Sequence, residues 1–271
     1  MEQQLSISGS GVRRRTTLNR RSLNHQRDIP ILILIRNSVV ITRNQIDTLL
    51  LASANEGTRP LNRRLARLCD LGQIREHPQV FPFTGRVFSI TAAGLETLEV
   101  VGLGIMSITS ESEKLMEDRQ ILHYLMLNQI QERLHSHVAI LNWWGDRLLK
   151  SLNLAANEPT VKDYDAVAEV VVPSDKTVRI GIEYERTQKS RARYAEIRRA
   201  IAQETAVRTI IYFTSTQEIA LVIAGEVYSP SVPVLIIVAG SFFESGLDCP
   251  VLFRQGTEIR TSSLRQLLNS L

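Results

Sequence analysis

The chain has 271 residues, of which 44% are hydrophobic and 22% are charged. This length exceeds a typical domain of about 100 to 200 residues and predicts two domains, while the composition excludes disorder throughout, a collagen-like repeat and a disulfide scaffold. The two cysteines, Cys69 and Cys249, lie far apart and match no metal-ligand spacing, which argues for a reducing compartment. The apolar runs are too short to span a bilayer, so we expect a soluble, cytoplasmic protein without a membrane partner.

The net charge of +4 is concentrated at the N-terminus. Residues 1–29 contain six arginines against Glu2 and Asp28, so this segment alone accounts for the whole excess. Residues 30–101 are mildly basic, with arginine as their only basic residue type apart from histidine, and residues 102–271 are mildly acidic. We interpret residues 1–29 as a basic disordered arm that meets nucleic-acid phosphates, and a solubilising tail is the alternative.

Residues 30–101 carry patterns for four helices and a strand pair. The predicted elements, in chain order, are helices at 31–40, at 42–52 and from 58, strands at 74–77 and 86–90, and a helix that begins at 91. Thr42 followed by Gln45 matches a capping box, which marks the start of the second helix. Gly72 supplies the stop signal after the third helix and directs the chain into the hairpin.

The third helix carries the residues that indicate a nucleic-acid surface. Leu61, Leu65 and Leu68 recur at helical spacing and form one apolar stripe that must face a core. Basic and polar residues occupy the rest of the helix surface, namely Arg59, Asn62, Arg63, Arg64 and Arg67. Because arginine binds phosphates and guanine edges, this surface is a candidate DNA-binding face. The alternative is a solvated basic face used for protein contact.

Two short helices, a leucine-striped helix with arginines and a hairpin follow one another here, and LGQI at 71–74 leads into the hairpin. This order resembles the winged helix-turn-helix family. The resemblance implies that residues 30–101 form a domain that binds double-stranded DNA, with the third helix in the major groove. It also implies that Arg86, on the hairpin, contributes to DNA contacts.

Residues 110–271 predict a second domain of mixed α/β type. Its predicted elements are helices at 110–138, after 190, at 216–227 and at 262–271, and strands at 138–142, 164–170, 178–185, 208–213, 234–238 and 251–253. The adjacent Trp143 and Trp144 are predicted to anchor its core.

Two of these strands bring acidic residues together. Residues 178–185 alternate, so Glu183 and Glu185 share one strand face while apolar residues share the other. A turn at 173–176 can join this strand to the preceding one as a hairpin, which would place Asp165 close to both glutamates. Clustered carboxylates repel one another unless a cation intervenes, so these three residues are candidate ligands of Mg²⁺ or Mn²⁺. The alternative is the solvated face of a hairpin.

Basic residues follow the acidic strand directly. Lys189 is a candidate for proton transfer at a metal site, and Arg191 and Arg193 begin a basic helix that would hold the DNA backbone. Glu132, on the long helix at 110–138, is a further candidate ligand.

The order helix, strand, acidic hairpin, helix and strand resembles the PD-(D/E)XK nuclease superfamily. More narrowly, the chain resembles the replication-relaxation family of plasmid and mobile-element proteins, through YDAV at 164–167, IEYERTQKS at 182–190 and RY at 193–194, behind the N-terminal winged helix. The resemblance implies a two-domain α/β (α+β) protein with a restriction-endonuclease-like αβββαβ core at 110–271. It implies that Asp165 and Glu183 are metal ligands, and it places Glu185 where the superfamily motif usually has a lysine.

Three classes of function follow from these patterns. The first is a DNA-binding protein with a Mg²⁺-dependent endonuclease domain that acts in replication, transfer or transposition. Such a protein would associate with the nucleoid and could bind other replication, transfer or transposition proteins. The second is a catalytically inactive DNA-binding regulator or accessory protein. The third is an interaction module whose winged helix binds protein. The terminal helix at 262–271 has an apolar face that can dock on the core or on a second copy in a homodimer.

Overall fold

The computed structural model describes residues 23–51, 58–78, 82–83, 85–103, 117–155, 162–172 and 175–271. The helices within these ranges are α1 His25–Ser38, α2 Arg43–Leu51, α3 Thr58–Asp70, α4 Ala92–Val100, α5 Asp118–His135, α6 Asp146–Ala155, α7 Arg191–Ala202, α8 Gln217–Glu226, α9 Ala239–Ser245 and α10 Leu264–Asn269. The strands are β1 Ile41–Thr42, β2 Ile74–His77, β3 Val87–Ile90, β4 Ala139–Gly145, β5 Ala166–Val171, β6 Thr177–Glu185, β7 Thr209–Thr214, β8 Val234–Val238, β9 Pro250–Gln255 and β10 Glu258–Ser263. None of the helices in the described ranges is long and apolar enough to cross a membrane.

The N-terminal unit consists of α1 to α4 and a small antiparallel sheet in the order β1-β3-β2. The predicted capping box is confirmed, because Thr42 Oγ1 accepts the Gln45 N–H at 3.1 Å and Gln45 Oε1 accepts the Thr42 N–H at 3.0 Å. The predicted leucine stripe of α3 is also confirmed, since Leu61, Leu65 and Leu68 are all buried. These leucines pack against apolar residues of α1 and the small sheet and form the core of this unit.

The first helix begins earlier than the sequence predicted. It starts at His25 rather than near residue 31, so residues 25–29 of the predicted arm are helical. The reason is that Asp28 and Ile29 are buried, and the Asp28 carboxylate accepts the backbone N–H of Asn24 at 2.7 Å. Residues 1–22 of the arm lie outside the described part of the chain.

The C-terminal unit is a seven-stranded mixed sheet covered by helices on both faces, which confirms the mixed α/β class. The strand order is β10-β9-β8-β7-β6-β5-β4, with parallel pairing only in β6-β7 and β7-β8. Helices α5, α9 and α10 pack on one face, and α7 and α8 pack on the other. Three elements, α6, α9 and β10, were not predicted from the sequence. Strand β4 extends past its predicted end to Gly145. The predicted anchor Trp143 lies in this strand and is buried.

Helix α5 joins the two units. It belongs to the C-terminal unit, yet Asn128 Nδ2 donates to Val40 O at 2.6 Å and Leu125 O accepts from Gln45 Nε2 at 2.9 Å. An apolar cluster around Leu125 surrounds these hydrogen bonds. At the end of α1 the backbone of the N-terminal unit also approaches β4 so closely that a Cβ atom at Gly145 would lie 2.3 Å from Asn37 O.

Candidate functional site

The predicted hairpin exists and places the acidic residues side by side. Strands β5 and β6 are antiparallel, and Ala166 lies opposite Ile182. The residue before Ala166, Asp165, is therefore next to the residue after Ile182, Glu183. Glu183 and Glu185 share a strand face, as the alternation predicted, and each is only 6% exposed. The alternative interpretation, a solvated hairpin face, is therefore wrong. It fails because α7 and α8 cover the face that a free hairpin would leave in water.

Aromatic rings form the apolar surroundings of the two glutamates. The ring of Tyr164 lies on Gly181, two residues before Glu183, so closely that a Cβ atom there would come within 2.7 Å of it. Tyr212, on the neighbouring strand β7, is paired with Glu183 in the register and is fully buried. The absence of a side chain at position 181 thus lets an aromatic ring exclude water from this face of the sheet.

Two lysines neutralise the two glutamates. Lys162 is 8% exposed and its Nζ pairs with Glu183 Oε1. Lys189 follows the strand and its Nζ pairs with Glu185 Oε2. Each buried carboxylate therefore has its own ammonium partner, which an ionised group in a low-dielectric environment requires.

Lys189 was predicted from the sequence, whereas Lys162 was not. Lys162 lies in an irregular segment before β5, where no periodicity indicates which side chains turn inward. Its ammonium group lies 4.9 Å from the centre of the Tyr164 ring, which follows two residues later. A lysine close to an aromatic residue next to a strand was the only available signal, and it is a weak one.

The protonation equilibria at the site differ between neighbouring carboxyls. Burial raises the pKa of Glu183 to about 7, and the negative charge of Asp165 acts in the same direction against the opposing charge of Lys162. For Asp165 burial also favours the neutral form, but its hydrogen bonds outweigh this and lower its pKa. Those hydrogen bonds come from His123 Nε2 at 3.2 Å and from the Tyr184 N–H at 2.8 Å. Carboxyls with pKa values pushed apart are typical of functional sites.

His123 connects the site to α5. Burial favours its neutral form, but the hydrogen bond and charge of Asp165 prevail and raise the pKa of its imidazole. His123 has no histidine partner at metal-ligand spacing, so the local sequence does not mark it as a site residue. The contact with Asp165 spans about 40 residues of sequence, so no local spacing could have shown it.

The described residues do not gather three His, Cys, Asp or Glu side chains into a group that could hold a metal ion. Asp165 and Glu183 are adjacent, but Lys162 and Lys189 occupy the electrostatic role that a cation would have at the two glutamates. Glu132 lies nine residues along α5 from His123, a distance of about 13 Å, and its side chain interacts with Thr48. Asp165 is the most accessible of the three predicted ligands, since 25% of its side chain is exposed against 8% for each glutamate, and its ion-pair partner is the imidazole of His123.

The predicted DNA-contacting residues of the C-terminal unit lie at the start of α7. Arg191 is exposed and lies 3.7 Å from Glu226, while Arg193 pairs with Glu196 at 2.8 Å. Both ion pairs are at the surface, where such pairs contribute little and can exchange for phosphate contacts.

The predicted DNA-contacting residues of the N-terminal unit differ in their accessibility. Arg63 is exposed on α3, whereas Arg64 is half-buried with its guanidinium 3.8 Å from Asp28, and Arg67 is also half-buried. The prediction that Arg67 lies on an open face is thus only partly right, because α3 turns that residue toward the unit. The side chain of Arg59 lies outside the described part of the chain.

The two remaining candidates of this unit already have protein partners. The exposed Asn62 accepts a hydrogen bond from Arg43 Nε at 3.0 Å. On the hairpin, Arg86 pairs with both carboxylate oxygens of Glu76, and its guanidinium lies 5.1 Å from the centre of the Phe88 ring. Of the predicted set in this unit, Arg63 is therefore the side chain that the structure presents most openly.

Comparison of the chain with models of protein families, with curated proteins and with solved structures finds no match.

Proposed function

We propose that the chain is a DNA-binding protein in which a winged helix-turn-helix presents double-stranded DNA to a metal-dependent cleavage site centred on Asp165. The observation that carries the proposal is the burial of Glu183 and Glu185 in the sheet beside Asp165. Burying charged groups inside a sheet costs free energy even when the charges are paired. Replacing such a pair with apolar residues of similar volume often leaves a protein equally stable or makes it more stable. A cluster of this kind with separated pKa values is therefore better explained by function than by stability.

The arrangement of strands supports a nuclease-like core for the C-terminal unit. Strands β4, β5 and β6 form an antiparallel meander, and β7 adds in parallel to β6 through the crossover helix α7. Together with α5 the chain order is α5-β4-α6-β5-β6-α7-β7, which corresponds to the αβββαβ order that the sequence resemblance implies with α6 inserted after the first strand. Asp165 precedes the second strand of the meander and Glu183 lies near the end of the third, which are the positions that the resemblance assigns to metal ligands.

The N-terminal unit supports DNA binding. Helix α3 buries its leucines and leaves Arg63 in solvent, and the antiparallel pair β2-β3 follows as a wing would. A helix held in this way can enter the major groove, where an arginine contacts phosphate or guanine. Binding of this kind would associate the protein with the nucleoid, in keeping with a role in the replication, transfer or transposition of a plasmid or mobile element.

The chain's own residues divide the work of phosphodiester cleavage at the proposed site. When bound, Mg²⁺ would supply Lewis-acid polarisation of the phosphate and a water of lowered pKa. Asp165 would hold the ion, while His123 and the Tyr184 N–H fix the orientation of its carboxylate. The Glu183 carboxyl, with its pKa of about 7, can hold or release a proton near neutral pH.

DNA binding is tested by fluorescence anisotropy of a labelled duplex across a salt series. We expect Arg63→Ala to weaken binding and to reduce the salt slope by about one unit. Arg260→Ala is the matched control, because Arg260 is equally a surface arginine but lies on β10 at the far edge of the large sheet. Equal affinities of the wild type and the Arg63→Ala variant would remove α3 as the DNA-contacting helix.

Cleavage is tested by nicking of supercoiled plasmid in the presence of Mg²⁺ or Mn²⁺. We expect Asp165→Asn to abolish nicking, and Asp163→Asn, a change at an exposed residue in the same segment, to leave it intact. Nicking by Asp165→Asn at the wild-type rate would refute the placement of the site.

A second function is favoured by a specific observation. Glu185 stands where the superfamily motif usually has lysine, and Lys162 and Lys189 already neutralise both glutamates. This electrostatic balance suits an accessory protein that uses the nuclease-like fold to grip DNA without cutting it. DNA binding by a wild-type chain that does not nick plasmid under any divalent cation would establish this function instead.

A further inference from the structure

Strand β10 is an open edge of the large sheet. It is the last strand in the sheet order, and its outer side pairs with no other strand of the described residues. It pairs with β9 over six residues without a register shift, and residues 258–261 are all exposed. A regular edge strand presents a row of unpaired backbone N–H and C=O groups, which a further strand can bind.

The opposite edge, β4, is protected. Its pairing with β5 shifts register between Ile140 and Asn142, as in a β-bulge. Helix α1 also covers its end, because Asn37 Nδ2 donates to Trp143 O at 3.4 Å and Asn37 O lies against Gly145. Bulges and covering segments are common means of preventing an edge strand from pairing with another chain. In the described structure, β10 has neither a bulge nor a cover over residues 258–261.

The hydrogen bonds at the end of β10 show which of its backbone groups point outward. The Leu264 N–H donates to Cys249 O at 3.3 Å, one step beyond the last residue pair of the β10-β9 ladder. Residues of an antiparallel strand alternate between those bonded to the neighbouring strand and those that are not. Counting back from Leu264, the N–H and C=O groups of Ile259 and Thr261 therefore point away from β9 and are available to another strand.

The side chains of β10 complement those of an antiparallel copy. When a two-fold axis passes through Ile259, this residue faces its own counterpart, and Glu258 of each copy lies opposite Arg260 of the other. Opposite charges that face each other across two strands are stabilising, whereas like charges are destabilising. The next register that uses the same backbone groups has Arg260 on the axis and places two arginines against each other, so charge favours Ile259 on the axis.

The charged residues of β10 are free to change partners. Within one chain, Arg260 Nη2 lies 3.2 Å from Glu258 Oε2, but the two side chains are 54% and 70% exposed. Such a surface pair contributes little to stability, so exchange for the equivalent pair of a second copy has a low cost. The terminal helix α10, the dimer contact considered from the sequence, instead buries Leu264 and Leu268 in the core of its own chain.

We propose that two copies of the chain associate through β10, antiparallel about a two-fold axis at Ile259, and form one continuous sheet. The same residues of both copies then make the contact, as in other two-fold dimers. The Ile259 side chain, 45% exposed in the single chain, packs against its counterpart. A contact of one short strand is smaller than the interface of a permanent dimer, so association is reversible and depends on concentration. The inference is independent of the proposed function.

Sedimentation equilibrium of the full chain across a concentration series tests the charge pairing. We expect a monomer–dimer equilibrium for the wild type. Glu258→Arg and Arg260→Glu should each weaken dimerisation by at least about tenfold, because each turns both cross-strand pairs of the dimer into repulsive ones. An equimolar mixture of the two variants should dimerise again, since every facing pair then has opposite charges. Arg208→Glu, at an exposed residue before β7, is the matched control and should dimerise like the wild type.

A proline variant tests the backbone pairing. Ile259→Pro removes an outward N–H that makes no bond to β9, which is where an edge strand tolerates proline. We expect this variant to remain folded by circular dichroism and to be monomeric at concentrations at which the wild type dimerises. Four results would overturn the inference: a wild type that is monomeric throughout the series, wild-type dimerisation of either single charge variant, a mixture of the two that stays monomeric, or a dimer that persists in Ile259→Pro.

Discussion

Replacing Lys162 with methionine tests whether the buried ion pair is a costly feature of the sheet. Methionine keeps most of the apolar length of lysine but removes the ammonium group that pairs with Glu183. Both side chains are less than 10% exposed, so water does not replace the lost partner. Removal of one partner of a buried ion pair typically costs about 3–5 kcal/mol, and we expect a loss of that size in the free energy of unfolding.

The double variant Lys162→Met, Glu183→Gln separates this cost from other losses. Lys162 Nζ also donates to Asp163 O at 3.2 Å and lies over the Tyr164 ring, and each contact contributes about 1 kcal/mol. Those losses remain in the double variant, whereas the uncompensated charge does not. We therefore expect the double variant to recover about 2–3 kcal/mol relative to the single variant.

Urea denaturation at pH 8 measures these differences, because Glu183, with a pKa of about 7, is then mostly ionised in the wild type. Lys150→Met is the matched control: its ion pair with Asp146 is 3.8 Å long and exposed, so we expect a change of at most about 1 kcal/mol. Equal losses in the Lys150→Met and Lys162→Met variants, or no recovery in the double variant, would refute the description of Glu183 as a buried charge held by Lys162.

Two further predictions concern stability. Burial lowers the pKa of His77, so the unfolded chain binds a proton at this residue more readily than the folded chain does. The free energy of unfolding should therefore fall as the pH drops below about 6.5. In parallel urea titrations, the His77→Gln variant should lack this part of the pH dependence. Gly145→Ala should lower the free energy of unfolding by about 1–3 kcal/mol, because the added methyl group would lie 2.3 Å from Asn37 O. Gly240→Ala is the control and should not lower it, because the space at its Cβ position is open. Equal unfolding temperatures of the two variants would contradict the close approach of the two units.

The elements with strong local signals could be predicted from the sequence. Thr42 and Gln45 form the capping box that their spacing indicated, because that contact lies within one helical turn. The alternation that ends at Glu183 and Glu185 predicted which side chains share a strand face. It could not predict that this face is buried, since burial depends on the packing of α7 and α8 against the sheet.

The residues around Asp165 show why the rest of the site was missed. Lys162 lies in a segment without periodicity. His123 reaches Asp165 only through the packing of α5 against the sheet. Each of these contacts joins positions that are distant in sequence or locally irregular, and composition and spacing contain no information about such contacts.

Helix α5 gives the two units a common frame. Near its start His123 holds Asp165, and farther along Asn128 holds Val40, the residue that precedes β1 and α2. Both contacts are made by side chains of one continuous helix, so a shift of the N-terminal unit by rotation or sliding would disturb the hydrogen bond at Asp165. A chain with this construction presents whatever α3 binds at a fixed position relative to the carboxylates. That geometry would suit the proposed function, in which cleavage occurs at a set distance from the DNA segment that α3 contacts.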